Sequence, residues 1–176
     1  VKINTDQGFY VFRFLSSFSN QGILLDPNEA FIDVEACIYF LEKIRRFNIE
    51  LVEQPMPAGK DEENRYLKKY SPFSLFADES ILHEADFTYL KTMFHGVNIK
   101  LMKAGGYLNA IHLLKQAKDK GMKTMIGCMV ETSLGISSGI HLSSLTDYAD
   151  LDSFILVKDE PFHLIEENNG EIRVKD

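Results

Sequence analysis

A repeated βα fold with parallel strands is predicted by three observations. Short β-rich runs alternate with amphipathic stretches along the chain, charged residues recur where those runs end, and their spacing is that of one strand plus one helix. Asp26 to Glu53 is 27 residues, Glu53 to Asp78 is 25, and Asp78 to Lys100 is 22. Each step is one βα unit, so the four residues occupy the same end of successive strands. Repeated right-handed βαβ units build either an open doubly wound sheet or a closed (βα)8 barrel, and both carry their sites at the C-terminal ends of the strands. Each acid alone reads equally well as a cap on the next helix. Four in register point to a chemical rim.

The elements follow in order. Residues 1–4 read as a strand end, and 9–18 as an apolar helix carrying Arg13. Ile23-Leu24-Leu25 runs into Asp26 as a strand. A helix over 32–47 has Ala36, Tyr39, Phe40 and Ile44 on its apolar face. The strand at 49–52 ends at Glu53. A helix at 61–69, an extended run at 73–77 and a helix at 85–93 come next. A strand is predicted at 97–101, a helix at 108–120, a strand at 123–127 and a helix at 134–145. Asp150-Leu151-Asp152 opens the last element and, if extended, sets two carboxylates on one face, a setting for a cation. An exposed turn is the plainer reading of that tripeptide. Asn168-Asn169-Gly170 marks a hairpin between 162–165 and 171–174.

With 176 residues, 45% hydrophobic, 26% charged, 11 Gly and 5 Pro, the chain is one ordinary domain, and disorder, collagen and coiled coil are excluded. Nineteen Lys and Arg against 26 Asp and Glu give −7, which argues against a nucleic-acid partner. Cys37 and Cys128 form no disulfide framework and fit a reducing compartment, so a cytoplasmic location is expected. No apolar run approaches the roughly 20 residues of a membrane span. The chain opens at Val1 inside a strand-like run, so an upstream segment is expected.

Three carboxylates from three strands make a hard, oxygen-rich site that suits Mg²⁺ better than Zn²⁺. The histidines at 83, 95, 112, 141 and 163 do not cluster at strand ends. A metal beside lysines suggests carbon-acid chemistry, in which the ion holds a substrate carboxylate and stabilises an enolate while lysine takes the α-proton. A nearby cation favours the neutral lysine that a base requires.

Four runs carry a resemblance: Glu53-Gln54-Pro55, Ala77-Asp78-Glu79-Ser80, Asn98 to Gly106, and Gly127-Cys128-Met129-Val130-Glu131-Thr132. They resemble the enolase superfamily, within it the muconate-lactonizing subgroup, and most of all the dipeptide epimerases of the L-Ala-D/L-Glu type. The resemblance implies an enolase-type (βα)7β TIM barrel, here partial. It begins at the family's second barrel strand, and the capping domain is mostly absent. Residues 1–152 would be the partial catalytic barrel, and 153–176 a tail or hairpin that returns to the capping domain, its edges left exposed without a complete partner.

Carried over by position, the resemblance implies Lys2 and Lys100 as the catalytic bases. In the other register of Val1-Lys2-Ile3-Asn4, Asn4 takes the catalytic place. Asp26, Glu53 and Asp78 are implied as Mg²⁺ ligands, with Glu79 beside them. Ser19-Asn20-Gln21-Gly22 competes with Asp26 for the first ligand motif, but it has Phe18 where an Asp belongs. Cys128, Met129 and Val130 would lie along the substrate backbone, with a packing role for Met129 and Val130 as the alternative. Asp150 and Asp152 would clamp the substrate ammonium. Gly105-Gly106 opens a helix, either as an anion-facing turn or as a tight turn alone.

The implied activity is Mg-dependent epimerisation of a dipeptide's C-terminal residue by two-lysine 1,1-proton transfer through an enolate, the work of an isomerase. The partner would be a small-molecule dipeptide, with neither nucleic acid nor membrane; homo-oligomerisation stays open. Other activities of the subgroup are N-acylamino acid racemisation, o-succinylbenzoate synthesis and cycloisomerisation. Asp150-Leu151-Asp152 argues against them, because their substrates lack a free ammonium. An inactive fragment is the reading from another class.

Overall fold

The computed structural model describes residues 10, 13, 14, 17, 20 and 22–175. The strand expected at 1–4, with Lys2, and most of the helix expected at 9–18 lie outside them. The chain divides into two compact units, Val1–Ser80 with Asp86–Gly96, and Ile81–Ala85 with Val97–Asp176.

In the first unit, β1 (Ile23–Leu25), β2 (Ile49–Glu53) and β3 (Ser74–Ala77) pair in parallel, with Leu25 opposite Val52 and Val52 opposite Leu75. Strands of such a sheet are covered on both faces and read as continuous apolar runs. Leu25, Leu51, Val52, Leu75, Phe76 and Ala77 are accordingly fully buried. Helix α1 (Val34–Ile44) starts where the Asp33 carboxylate accepts the N–H groups of Glu35 and Ala36 at 2.8 and 3.0 Å. It buries Cys37, Leu41 and Ile44, at the i, i+4, i+7 spacing of one helix face. Helix α2 (Asp61–Tyr70) carries three acids in its first turn and Lys68 and Lys69 in its last, the order its dipole favours.

Helix α3 (Phe87–Leu90) is much shorter than the predicted 85–93. Asp86 caps it, and Thr92 and Met93 then donate to Tyr89 and Leu90 in tight three-residue turns at 2.9 Å. The Lys68 ammonium takes the carbonyls of Lys91 and Phe94 and fixes that end. Strand β4 (Gly96–Lys100) opens on a glycine because a Cβ there would lie 2.4 Å from the buried Phe76 ring.

The loops at the strand ends meet at Gln54. Its side-chain Oε1 accepts the N–H groups of Asp78 and Ser80 at 3.0 and 3.2 Å, and its Nε2 donates to the Met56 carbonyl at 2.9 Å. Its backbone N–H donates to Phe76, and its carbonyl accepts from Glu29, both at 2.8 Å. The residue is fully buried with φ at 30°, a left-handed conformation that a glutamine adopts only when its surroundings hold it there.

In the second unit, β5 (Lys123–Gly127) lies beside β4 and pairs in parallel with β6 (Tyr148–Ala149). Gly127 leaves room for Asn98, whose Oδ1 would be 2.5 Å from a Cβ. A short helix, α4 (Leu101–Ala104), follows Lys100 directly; Gly105 ends it at φ 76° and Gly106 begins α5 (Tyr107–Asp119). Helix α6 (Ser133–Ser143) follows β5. After β6, a 3₁₀ turn at Ser153–Leu156 leads to the hairpin β7 (Ile165–Asn168) and β8 (Glu171–Val174), closed by Asn169 and Gly170 at φ 54° and 85°.

The hairpin is present with its second strand at the expected 171–174 and its first at Ile165–Asn168 instead of 162–165, and it leans on α6. The Glu160 carboxylate accepts the Ser133 N–H and hydroxyl, both at 2.9 Å, while the Ser133 oxygen accepts the Leu164 N–H at 2.9 Å. Burial pushes the Glu160 carboxyl up, but hydrogen bonds from Phe162, Ser133 and His163 hold it below the usual range.

Two outcomes follow from these ties. Gln54→Leu strands the Asp78 and Ser80 N–H groups and costs about 3 kcal/mol in urea unfolding, from about 1–3 kcal/mol per unsatisfied buried group. A loss under about 0.5 kcal/mol, less than one ordinary hydrogen bond, shows that the amide ties nothing. Glu160 is lowered in the fold, so its contribution is complete above the unfolded carboxylate value of about 4.3 and is lost as pH falls through the folded one. Acid titration should therefore release the Leu164 amide to hydrogen exchange in the wild type, whereas Glu160→Gln should show no such pH step.

Candidate active site

Asp26 follows β1, Glu53 closes β2 and Asp78 follows β3, so the three acids stand at the same ends of neighbouring parallel strands. All three are buried, at 7, 4 and 2% exposure. The Asp26 carboxylate accepts the Asn28 N–H at 2.8 Å within a turn where Asn28 and Glu29 have φ of 48° and 59°. Asn20, from the competing motif, is exposed, and its carbonyl accepts from Asn48 at 3.4 Å.

Glu79 adjoins them. Its Oε1 accepts from the Asn28 amide at 3.3 Å, and its buried Oε2 has no hydrogen-bond partner among the described residues. Burial pushes its carboxyl up, and the charges of Asp78, Glu29 and Asp26 add to the rise. An unpaired carboxylate oxygen amid like charge is chemistry that a hard cation would satisfy. Among the described residues, however, no three Asp, Glu, His or Cys side chains converge closely enough to hold an ion. Asp26, Glu53 and Asp78 fit Mg²⁺ by residue type and strand-end placement; their side chains are not gathered on one point.

In the second unit, Lys100 closes β4 and is buried, at 8% exposure. Cys128, Met129 and Val130 form the loop after β5. Met129 and Val130 are exposed, which removes the reading of them as buried packing residues. The Cys128 thiol donates to the Asp150 carbonyl at 3.3 Å, and burial pushes its pKa up. Asp150 extends the β5–β6 pairing by donating its N–H to Ile126 at 2.9 Å.

Leu151 is buried between the half-buried Asp150 and the exposed Asp152, the alternation of an extended run, and a 3₁₀ turn begins beyond it, where the Asp152 carbonyl accepts from Ile155 at 3.1 Å. Gln54, which joins the loops at three strand ends, escaped the sequence reading: it lay inside a recognised run with nothing to mark its side chain.

Relatives with similar sequences include the L-Ala-D/L-amino acid epimerase of Pedosphaera parvula, 40% identical over 142 residues, covering 80% of this chain and 41% of that protein. The L-Ala-D/L-Glu epimerase of Bacteroides thetaiotaomicron is 34% identical over 176 residues, covering 100% and 46%. Among solved structures, the dipeptide epimerase from Methylococcus capsulatus complexed with Mg and the dipeptide L-Arg-D-Lys superposes with a TM-score of 0.84 at 28% identity, covering 100% of this chain and 52% of that one. The chain thus spans about half the length of the relatives it matches. Its fold is part of an enolase-type (βα) barrel, as the motifs implied. The family described as "Enolase C-terminal domain-like" matches residues 16–176, and with the acids and Lys100 at successive strand ends the chain belongs to it.

Proposed function

We propose that the protein is an isomerase, a Mg²⁺-dependent dipeptide epimerase acting by two-lysine 1,1-proton transfer. The observation that carries this reading is the burial of Asp26, Glu53 and Asp78 at the ends of three hydrogen-bonded parallel strands, in a chain whose relatives are named epimerases.

Asp26, Glu53 and Asp78 would hold the cation. When bound, it supplies positive charge that draws in the substrate's C-terminal carboxylate and acidifies the α-carbon. Lys100 removes or returns the α-proton on one face. Lys2, in the register adopted here, serves the other face. The lysine that takes the proton must be neutral and the one that returns it protonated, so the pair exchanges charge states with each turnover. Cys128, Met129 and Val130 run along the substrate backbone, and Asp150 and Asp152 take the free ammonium at its far end, which favours dipeptides over N-acylated amino acids.

Incubating a dipeptide library in D₂O with Mg²⁺ tests the reading by mass spectrometry. Deuterium should enter the α-position of the C-terminal residue in a subset of dipeptides, and none anywhere rejects it. Asp78→Asn should weaken Mg²⁺ binding at least about tenfold by calorimetry and abolish turnover with the fold intact, the scale of removing one charged ligand. Asp26→Ala should lose the metal where Asn20→Ala does not; equal, small effects would remove both registers. For the bases, Lys100→Ala should end epimerisation yet keep exchange of one stereoisomer's α-proton through Lys2, and Lys2→Ala should keep only the other. Inversion surviving in either variant rejects the two-lysine mechanism.

A further inference from the structure

The loop after β5 and the segment after β6 are joined through one hydroxyl. Ser153 is buried, at 8% exposure. Its Oγ donates to the Met129 carbonyl at 2.6 Å and accepts the Glu131 N–H at 3.4 Å. Beside it, the Cys128 thiol donates to the Asp150 carbonyl at 3.3 Å, so a second side chain joins the same two segments. The Glu131 carboxylate turns back to accept the Met129 N–H at 3.0 Å, and Gly135 leaves room for it, since a Cβ there would lie 2.3 Å from its Oε2. Every residue from 128 to 131 except Val130 is thus held by a side chain, and Val130 hangs between two held neighbours with 66% of its surface exposed.

Ser153 directly follows Asp152 and lies three residues beyond Asp150. One hydroxyl therefore fixes the loop proposed to lie along the substrate backbone against the carboxylates proposed to take its ammonium. From this geometry we infer that Ser153 is a positioning residue, setting the span between backbone loop and ammonium clamp and so favouring substrates that reach both. The inference rests on the proposed epimerase reading for what fills that span.

A substitution at 153 should loosen the loop and weaken capture of the free ammonium while leaving proton transfer alone. The test compares wild type, Ser153→Ala and Ser153→Thr, which keeps the hydroxyl. Without substrate, hydrogen–deuterium exchange over residues 128–133 should accelerate in the alanine variant and return toward wild type in the threonine variant, with the melting curve showing all three folded. On a dipeptide turned over by the wild type, KM should rise about five- to tenfold in Ser153→Ala with kcat within about twofold, the scale of one or two lost hydrogen bonds. For the corresponding N-acetyl amino acid, which meets the loop but has no ammonium, KM should rise by less.

Unchanged protection over 128–133 in Ser153→Ala overturns the proposal whatever the substrate. Equal losses on the free and N-acetylated substrates, or a fall in kcat alone, overturn the positioning task. If the wild type exchanges no dipeptide α-proton while the loop still loosens in the alanine variant, the epimerase reading fails and the hydroxyl tie stands as a purely structural clamp.

Discussion

The Gln54 amide is the constraint on which the first unit's strand ends depend. It sits between the last residue of β2 and a proline, and its backbone and side chain reach the loops after both neighbouring strands. A parallel sheet fixes its strands through backbone hydrogen bonds but leaves the loops at their ends to find partners elsewhere. Here one buried side chain supplies them. The left-handed backbone at 54 follows, because only that turn sends the carbonyl toward Glu29 and the amide toward Asp78 and Ser80. Strain at one residue is exchanged for order in three loops.

Burial of the acids sets the electrostatics of the same unit. Taking a carboxylate out of water costs several kcal/mol unless charge or hydrogen bonds offset it. Asp26 meets part of that cost through the Asn28 N–H. Glu79 shows the sign of the local field, since its carboxyl is pushed up both by burial and by the surrounding acids, and one of its oxygens has no hydrogen-bond donor. A region with this balance is stabilised by positive charge.

Much of this was legible in the sequence. Strand ends read well because buried parallel strands are short, continuous and apolar, and each ran into a charged residue: Leu25 into Asp26, Val52 into Glu53, Ala77 into Asp78 and Ile99 into Lys100. Helix lengths read less well. Phe87, Leu90, Met93 and Phe94 are all buried, so apolar periodicity continues past the end of α3 into tight turns that a pattern does not distinguish from helix. The turn of α4 was hidden because Gly105 and Gly106 were read as a single helix start, whereas one ends a helix and the other begins the next. Gln54 and Ser153 act through partners about 24 residues away, a distance over which periodicity carries no information.

Gln54 and Ser153 solve one problem in different ways. A βα fold delivers functional residues to strand ends, yet strand ends are where regular hydrogen bonding stops and loops gain freedom. In the first unit the answer is a buried amide with several donors and acceptors, suited to fixing three loops at once. In the second it is a single hydroxyl, which both donates and accepts and so bridges a carbonyl and an N–H two residues apart. Neither side chain has chemistry of its own to perform. Their value lies in making the positions of acidic and exposed neighbours independent of loop motion, and a polar group that is both buried and satisfied is rigid enough for that. The exposure of Met129 and Val130 then has a physical sense: the Met129 carbonyl is anchored by the Ser153 hydroxyl, so the loop keeps its course while both side chains stay in solvent.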